Sequence, residues 1–382
     1  MKKFVLVIIG VFLVLAYGCK GGGNSSGTTE GHKAVGLDYS SMINLSEMDS
    51  GWILAEIVNP WDTTRLLQTL ALIPQGLSGD LTGIPSSAVR INIPLKESLV
   101  TSSVHIGLFE ELGVLEQIAG VTDVTYIMTD SFKRRIERGE VADCGTWMAP
   151  DIERVIKLNP DAIIISPYQD GGNYARLAGL SIPVIYAADY MENSPLGRAE
   201  WMKFYGLLYG REQQADSLFK SIESRYLSLK DIADSASMAE GRPSVMLDTP
   251  YMGAWYIHGS GSTNDCYIND AGAKNPFSDM AEGNSIGISP ETFLMEAKDT
   301  DVWLLRYNTK YPMTLRQLES DNPLYTRFHP FQTGNVWGCN TSEVPFYDET
   351  PFHPEYLLED LIRIFHPSAI PPGPLRYFSK LK

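Results

Sequence analysis

The sequence predicts an α/β protein: two Rossmann-like lobes with mostly parallel sheets, bridged by one long α-helix. Three observations carry that expectation. Apolar runs of strand length alternate with helical segments both before residue 195 and after residue 241. The clearest run, Ala162 to Ile165, is continuously apolar, as a strand covered on both faces must be. Between the halves lies an amphipathic stretch with no Gly or Pro from Arg211 to Glu240.

Composition narrows the function. A chain of 382 residues suggests about two domains at roughly 100–200 residues each. Hydrophobic residues at 44 % and charged residues at 20 % exclude wholesale disorder. With 31 basic against 46 acidic residues the net charge is −15, and no basic run offsets it, so no nucleic-acid partner is expected.

The elements follow in order. Lys2 and Lys3 precede an apolar run from Phe4 to Tyr17, then Gly18 and Cys19. Such a run makes a helix of about 21 Å, short of a bilayer core of about 30 Å, so residues 1–18 read as a cleaved signal peptide. Leu15-Ala16-Tyr17-Gly18-Cys19 resembles a bacterial lipobox, with Tyr17 unusual inside it. That resemblance implies lipidation of Cys19; an ordinary signal with a chance cysteine is the alternative. Residues 19–48 then form the lipidated cysteine and a tether, Gly- and Ser-rich over Lys20 to Thr29.

Residues 49–195 read as the N-terminal lobe. Trp52 to Val58 is a strand stopped by Asn59-Pro60, followed by a turn and a helix. Arg90 to Leu95 alternates as a strand, and Ser102-Ser103 is placed to cap a helix carrying Val104, Leu108, Phe109 and Leu112, which Gly113 ends. Pro150 to Asp161 reads as a short helix and a proline turn feeding the Ala162 strand. A helix over Gly172 to Leu177 leads to the strand Ile182 to Tyr186.

Residues 196–240 form a helical hinge. Ser194 caps, Pro195 takes the first helical position, and Gly210 ends that helix. The next helix, Arg211 to Ala236, carries Ala215, Leu218, Phe219, Ile222, Tyr226, Leu229 and Ala233 on one stripe over about 39 Å. Residues 241–382 are the C-terminal lobe, with strands Ser244 to Leu247 and Val302 to Leu305 and helices near Tyr267 to Asp270, Glu291 to Ala297 and Glu355 to Phe365.

No nucleophile elbow is found, since the two GxSxG matches, Gly23 to Gly27 and Gly283 to Gly287, lack a preceding apolar strand, and no GxGxxG, GxxxxGKS/T or HExxH occurs. His105 lies on the first-lobe helix, and His329, His353 and His366 each precede proline, as turn residues do. Cys144, Cys266 and Cys339 show no metal or redox spacing; two could pair in an exported protein, or all three could be buried. The chain reads as a non-enzyme with no cofactor.

An ordered set of motifs adds a resemblance. Pro150-Asp151-Ile152-Glu153 with Leu158-Asn159-Pro160-Asp161, Glu110-Glu111-Leu112-Gly113, and Ile118 to Asp123 resemble periplasmic substrate-binding proteins of the long-helix type. Asp189-Tyr190-Met191-Glu192 with Pro195 to Trp201 is similar to the run into the hinge in Bacteroidota members. Trp255, Gly259, Asp270 to Ala273, Gly338 to Asn340, and His353-Pro354 through His366-Pro367 continue the likeness to about residue 370.

That family serves ABC importers of ferric siderophores, haem and vitamin B12. The resemblance implies a periplasmic, membrane-anchored lipoprotein, expected to be a monomer, that partners an ABC permease and its ATPase and delivers a metal chelate bound between the lobes. By motif, Glu153 and Glu291 are the lobe-tip carboxylates that dock on the permease, Glu291 lying in Ile288-Ser289-Pro290-Glu291-Thr292-Phe293. Loops after strand ends face the crevice in open α/β sheets, which points to Ser102, Ser103, Trp147, Tyr168, Tyr251, Trp255 and Arg306 as ligand-binding residues. Alternatives are a cobalamin binder of the same class, a surface-tethered binder without a permease, and an enzyme on a related two-lobed fold, near whose cleft only Cys144 would lie. A zinc or manganese binder would need converging ligands and a His-rich loop, which the sequence lacks.

Overall fold

A computed structural model describes residues 32–77, 81–169, 175–281, 283 and 285–382. Its chain opens with a five-stranded sheet in the order β1 (His32–Ala34), β2 (Ile43–Met48), β3 (Ile53–Val58), β4 (Leu66–Pro74) and β5 (Val89–Ile93). All neighbours there are antiparallel except β4 and β5. Two expectations are corrected here. The strand from Trp52 is followed by a further strand, β4, and not by a helix. His32–Ala34 and Ile43–Met48, expected in the tether, are strands of this sheet, and residues 35–42 connect them. Two buried glutamates hold that segment down: Glu200 accepts from the Tyr39 and Ser40 amides at 2.8 and 2.9 Å, and Glu192 accepts from the Met42 amide at 2.9 Å.

The second sheet is parallel throughout. It contains β6 (Ser98–Val100), β7 (Ile118–Val121), β8 (Ala142–Asp143), β11 (Ala162–Ile165) and β12 (Val184–Tyr186), with β9 (Gly145–Thr146) and β10 (Ala149–Pro150) forming a separate hairpin. The order β12-β11-β6-β7-β8 reverses direction between β6 and β11. All four residues of β11 are buried, as its unbroken apolar run requires. Helices α1 (Ile106–Glu111), α2 (Asp130–Glu137), α3 (Ile152–Leu158) and α4 (Ala175–Ala178) connect the strands. Ser102 makes no side-chain cap bond, and a 3-10 turn at Ser103–His105 precedes α1, so the expected cap at Ser102-Ser103 is not formed. The helix expected over Gly172 to Leu177 lies partly outside the described residues. The two N-terminal sheets are joined by Gln68, whose amide donates to Val184 O at 2.7 Å and accepts from the Tyr186 amide at 2.9 Å, as a neighbouring strand would.

Helix α5 (Pro195–Tyr209) starts where the Ser194 hydroxyl accepts from the Gly197 amide at 2.9 Å and stops at Gly210, φ 65°. Helix α6 (Glu212–Glu240) runs 29 residues, about 44 Å. Its Ala215, Phe219 and Ile222 enter the core of the first half, and its Tyr226, Leu229 and Ala233 that of the second. One rigid element therefore spans both cores.

The second half holds β13 (Val245–Leu247), the strand β14 (Trp255–His258), α7 (Thr263–Asp270), β15 (Ser285–Ile288), α8 (Pro290–Ala297), β16 (Val302–Tyr307), α9 (Leu315–Asp321), α10 (His329–Gln332), β17 (Val336–Asn340), α11 (Phe346–Glu349), α12 (Pro354–Phe365) and β18 (Ser379–Lys380). Strands β13, β16 and β17 are parallel, β18 adds antiparallel, and β14 pairs with β15 alone. Cys144, Cys266 and Cys339 are all free. No helix among the described residues is long and apolar enough to cross a membrane.

Candidate functional site

The reversal between β6 and β11 opens a crevice at the C-terminal edge of the parallel sheet, where chain turns diverge to opposite faces. Ser102 and Ser103 follow β6 and are half-buried at that edge, and Tyr168 lies in the loop after β11. The β9–β10 hairpin brings Trp147 to the same place. Its turn is Trp147-Met148, and it forms only because residue 145 is glycine: φ is +87°, and a Cβ there would stand 2.7 Å from Ala149 O. The Asp123 carboxylate, in a left-handed turn after β7, accepts from the Trp147 amide at 2.7 Å and fixes the tip.

Trp147 and Tyr168 stack with ring centroids 5.5 Å apart at 21°, and Tyr190 continues the row 6.5 Å from Tyr168. The Tyr190 hydroxyl donates to Pro167 O, and burial raises its pKa to about 12, so it stays a neutral donor. Trp147 is 39 % and Tyr168 43 % exposed, so the stacked pair keeps part of its apolar ring surface at the crevice. Tyr190 was not among the expected cleft residues; its place shortly after the β12 strand end was the available signal.

The second lobe answers with charge. Asp248 follows β13 in a left-handed conformation, φ 53°, held by its amide to Leu304 O at 2.8 Å and by Trp303 Nε1 to its carbonyl at 2.8 Å. Its carboxylate accepts from the Arg306 amide at 3.0 Å and Nε at 3.2 Å, and Nη2 completes a bidentate pair. Burial opposes the charge on Asp248, but Arg306 outweighs it and holds the carboxyl below its usual range. Beside them His258 is kept neutral: burial and the Arg306 charge both lower its pKa, and Asn264 Nδ2 lies 3.3 Å from its ring nitrogens. A cavity of about 40 Å³ borders Asp248, Asn264, Arg306 and Phe346. Tyr251 stands exposed in the loop after β13. Asp248 was also not foreseen, though a carboxylate directly after a strand is a visible signal.

The C-terminal edges of the two sheets meet. The turn at Ser103–His105 and α1 pack against α11, and the Met128 amide donates to Asp348 Oδ2 at 3.2 Å. Farther out His353 Nε2 lies 2.9 Å from Glu111 Oε1.

Trp255, expected in the cleft, is a core residue. Period-two alternation along β14 turns Trp255 and Ile257 inward and Tyr256 outward. The Trp255 ring stacks on Phe293 at 3.7 Å, and its Nε1 donates to Leu247 O at 2.9 Å. Glu153 and Glu291 are both exposed and occupy matching places, each the second residue of a helix that precedes an internal strand next to the sheet's edge. Side chains cap both helices: Asp151 accepts from the Arg154 amide at 3.1 Å, and Ser289 from the Thr292 amide at 3.1 Å. Cys19 lies outside the described residues. Among the described residues no three His, Cys, Asp or Glu side chains converge to hold a metal ion.

Compared with known proteins, residues 99–341 match the family model described as periplasmic binding protein. That span begins in β6 and leaves the first sheet ahead of it. An uncharacterized lipoprotein of Methanocaldococcus jannaschii is 26 % identical over 371 residues, 90 % of this chain and 85 % of the relative. Among solved structures, a periplasmic heme binding protein from Pseudomonas aeruginosa is similar with TM-score 0.58 and 17 % identity, covering 75 % of this chain and 98 % of its own. An ABC-type Fe3+-hydroxamate transport system protein from Saccharomonospora viridis is similar with TM-score 0.55 and 18 % identity, covering 72 % and 94 %.

Proposed function

This chain belongs to the periplasmic binding protein family, and from that premise we propose that it is the substrate-binding component of an ABC importer that captures a metal chelate between its lobes. Proteins of this family bind small ligands and work with ABC transporter permeases. The chelate we propose is a ferric siderophore or haem, with cobalamin as the alternative of the same class. The observation that carries this is the stacked pair Trp147–Tyr168 beside the topological reversal: partly exposed aromatic rings at a crevice suit a partly apolar chelate.

Glu153 and Glu291 are proposed as the two pegs that set register on the permease, which works with its ATPase. Their support is positional: exposed carboxylates at matching helix starts favour the helix dipole and stay free for a basic partner. We further propose a monomer, bounded as 49–195, 196–240 and 241–382 apart from the first sheet's start at residue 32, and held in the periplasm by lipid on Cys19. Cys19→Ala should then be released in soluble, unlipidated form or accumulate as unprocessed precursor; a processed variant with unchanged membrane fractionation contradicts the anchor.

The test of function pairs two readouts on the Glu153→Ala/Glu291→Ala double variant. Affinity of the purified protein for its chelate should stay within about two-fold of wild type, while import in cells falls more than about ten-fold. Lost affinity with normal import per bound ligand would show these glutamates to be ligand groups. If neither quantity moves, a surface-tethered binder without a permease becomes the better reading.

A further inference from the structure

We infer that Asp248 sets the charge class of the ligand, so that the cleft takes metal chelates of zero or positive net charge and discriminates against polyanionic ones. This rests on the chelate-binding reading above. The argument begins with Arg306, the guanidinium at the end of β16. Left unpaired it would be an anion receptor, because a fixed guanidinium charge at a partly buried site attracts a ligand anion far more strongly than it would in water. Asp248 removes that attraction. Its two oxygens take the Arg306 Nε, Nη2 and backbone amide, so the planar fork of the guanidinium is already matched by a carboxylate.

The pairing is built into the backbone. Asp248 and Arg306 leave the ends of adjacent parallel strands, paired Leu247 to Leu304. The left-handed turn at Asp248 is fixed by Leu304 O and by the Trp303 indole. A mobile counter-ion could be displaced by an anionic ligand; this one is anchored at both ends. An incoming anion meets a pair without net charge, with the Asp248 carboxylate adding local repulsion.

Among the described residues, His258, Arg154 and Arg198 add little free positive charge to the pair. His258 is neutral beside the pair, held so by burial and by Arg306. Arg154 is tied to Asp151 at 3.1 Å, and Arg198 to Asp189 at 3.3 Å. Lys310 is exposed, beyond the β16 end, with its ammonium 5.7 Å from the Tyr311 ring. On the opposite shelf Asp123 stands behind Trp147 with its carboxylate toward the Trp147 amide.

The test titrates purified protein by quenching of tryptophan fluorescence with three ferric chelates: ferrioxamine B, which is cationic, ferrichrome, which is uncharged, and a trianionic ferric triscatecholate. Wild type should bind at least one of the first two more than about ten-fold tighter than the third. Asp248→Asn keeps the shape while freeing the Arg306 charge, and should narrow that gap at least ten-fold through a gain for the trianion. The wild-type order stands as a test by itself should the variant not fold. A wild-type preference for the trianion, or an unchanged gap in folded Asp248→Asn, overturns the inference and leaves chelate binding intact. Absence of binding to all three, and to haem and cobalamin, overturns the chelate reading and this inference with it.

Discussion

Trp147 and Glu153 are carried on one short rigid unit. The hairpin that presents Trp147 runs straight into Asp151, whose amide donates to Cys144 O at 2.9 Å and whose carboxylate caps the helix bearing Glu153. The proposed ligand shelf and the proposed permease peg of the first lobe are thus six residues apart, with no flexible joint between them. A shift of the hairpin on ligand contact would move the helix start with it.

The two tryptophans separate binding from stability. Trp147→Ala removes an exposed stacking face and should weaken chelate binding about ten-fold or more with little change in unfolding midpoint. Trp255→Ala empties a core position against Phe293 and should destabilise the fold by about 3–5 kcal/mol. Thermal unfolding beside ligand titration checks both; equal destabilisation by the two variants would contradict the placement of Trp147.

The lobes are clamped by a charged histidine. Burial works against the charge on His353, but hydrogen bonds to Glu111 and Glu355 outweigh it and raise its pKa to about 9. A histidine pKa raised on folding stabilises fully below its unfolded value near 6.5, and that stability is lost as pH rises through 9. The contribution at pH 7 is on the order of 2 kcal/mol, since half-exposed Glu111 is screened. The gap in unfolding midpoint between wild type and His353→Gln should therefore shrink from pH 7 to pH 10. A constant gap would mean that the imidazolium charge contributes nothing.

Closure on ligand should be small. Helix α6 runs through both cores without Gly or Pro, and the lobes also meet through Asp348 with the Met128 amide and through Thr263 Oγ1 donating to Glu192 O at 2.9 Å. Small-angle scattering with and without chelate should give nearly superimposable profiles. A lobe rotation of tens of degrees would contradict a rigid α6.

Much of this architecture was legible where signals are local. Ser194, Pro195 and Gly210 bounded α5, and the stripe from Ala215 to Ala233 disclosed a helix serving two cores. Of the first sheet β3 and β5 were legible as strands but β4 was not, because Leu66–Pro74 is a leucine-rich stretch broken by Gln68 and Thr69 whose period does not separate a strand from a helix. Trp255 was misplaced because its segment was read as a loop after the Ser244 to Leu247 strand, whereas it opens a further strand whose alternation turns Trp255 inward and Tyr256 outward. The Asp248–Arg306 pair is set by strand register across 58 residues, which no local pattern carries.

The most direct measurement is the visible absorption spectrum of the protein isolated from its own periplasm, taken beside that of Trp147→Ala. Wild type should carry a chelate band through size-exclusion chromatography at about one ligand per chain, and Trp147→Ala should lose most of it. A colourless wild type that stays colourless after incubation with ferric siderophores, haem and cobalamin would contradict capture of a metal chelate in this cleft.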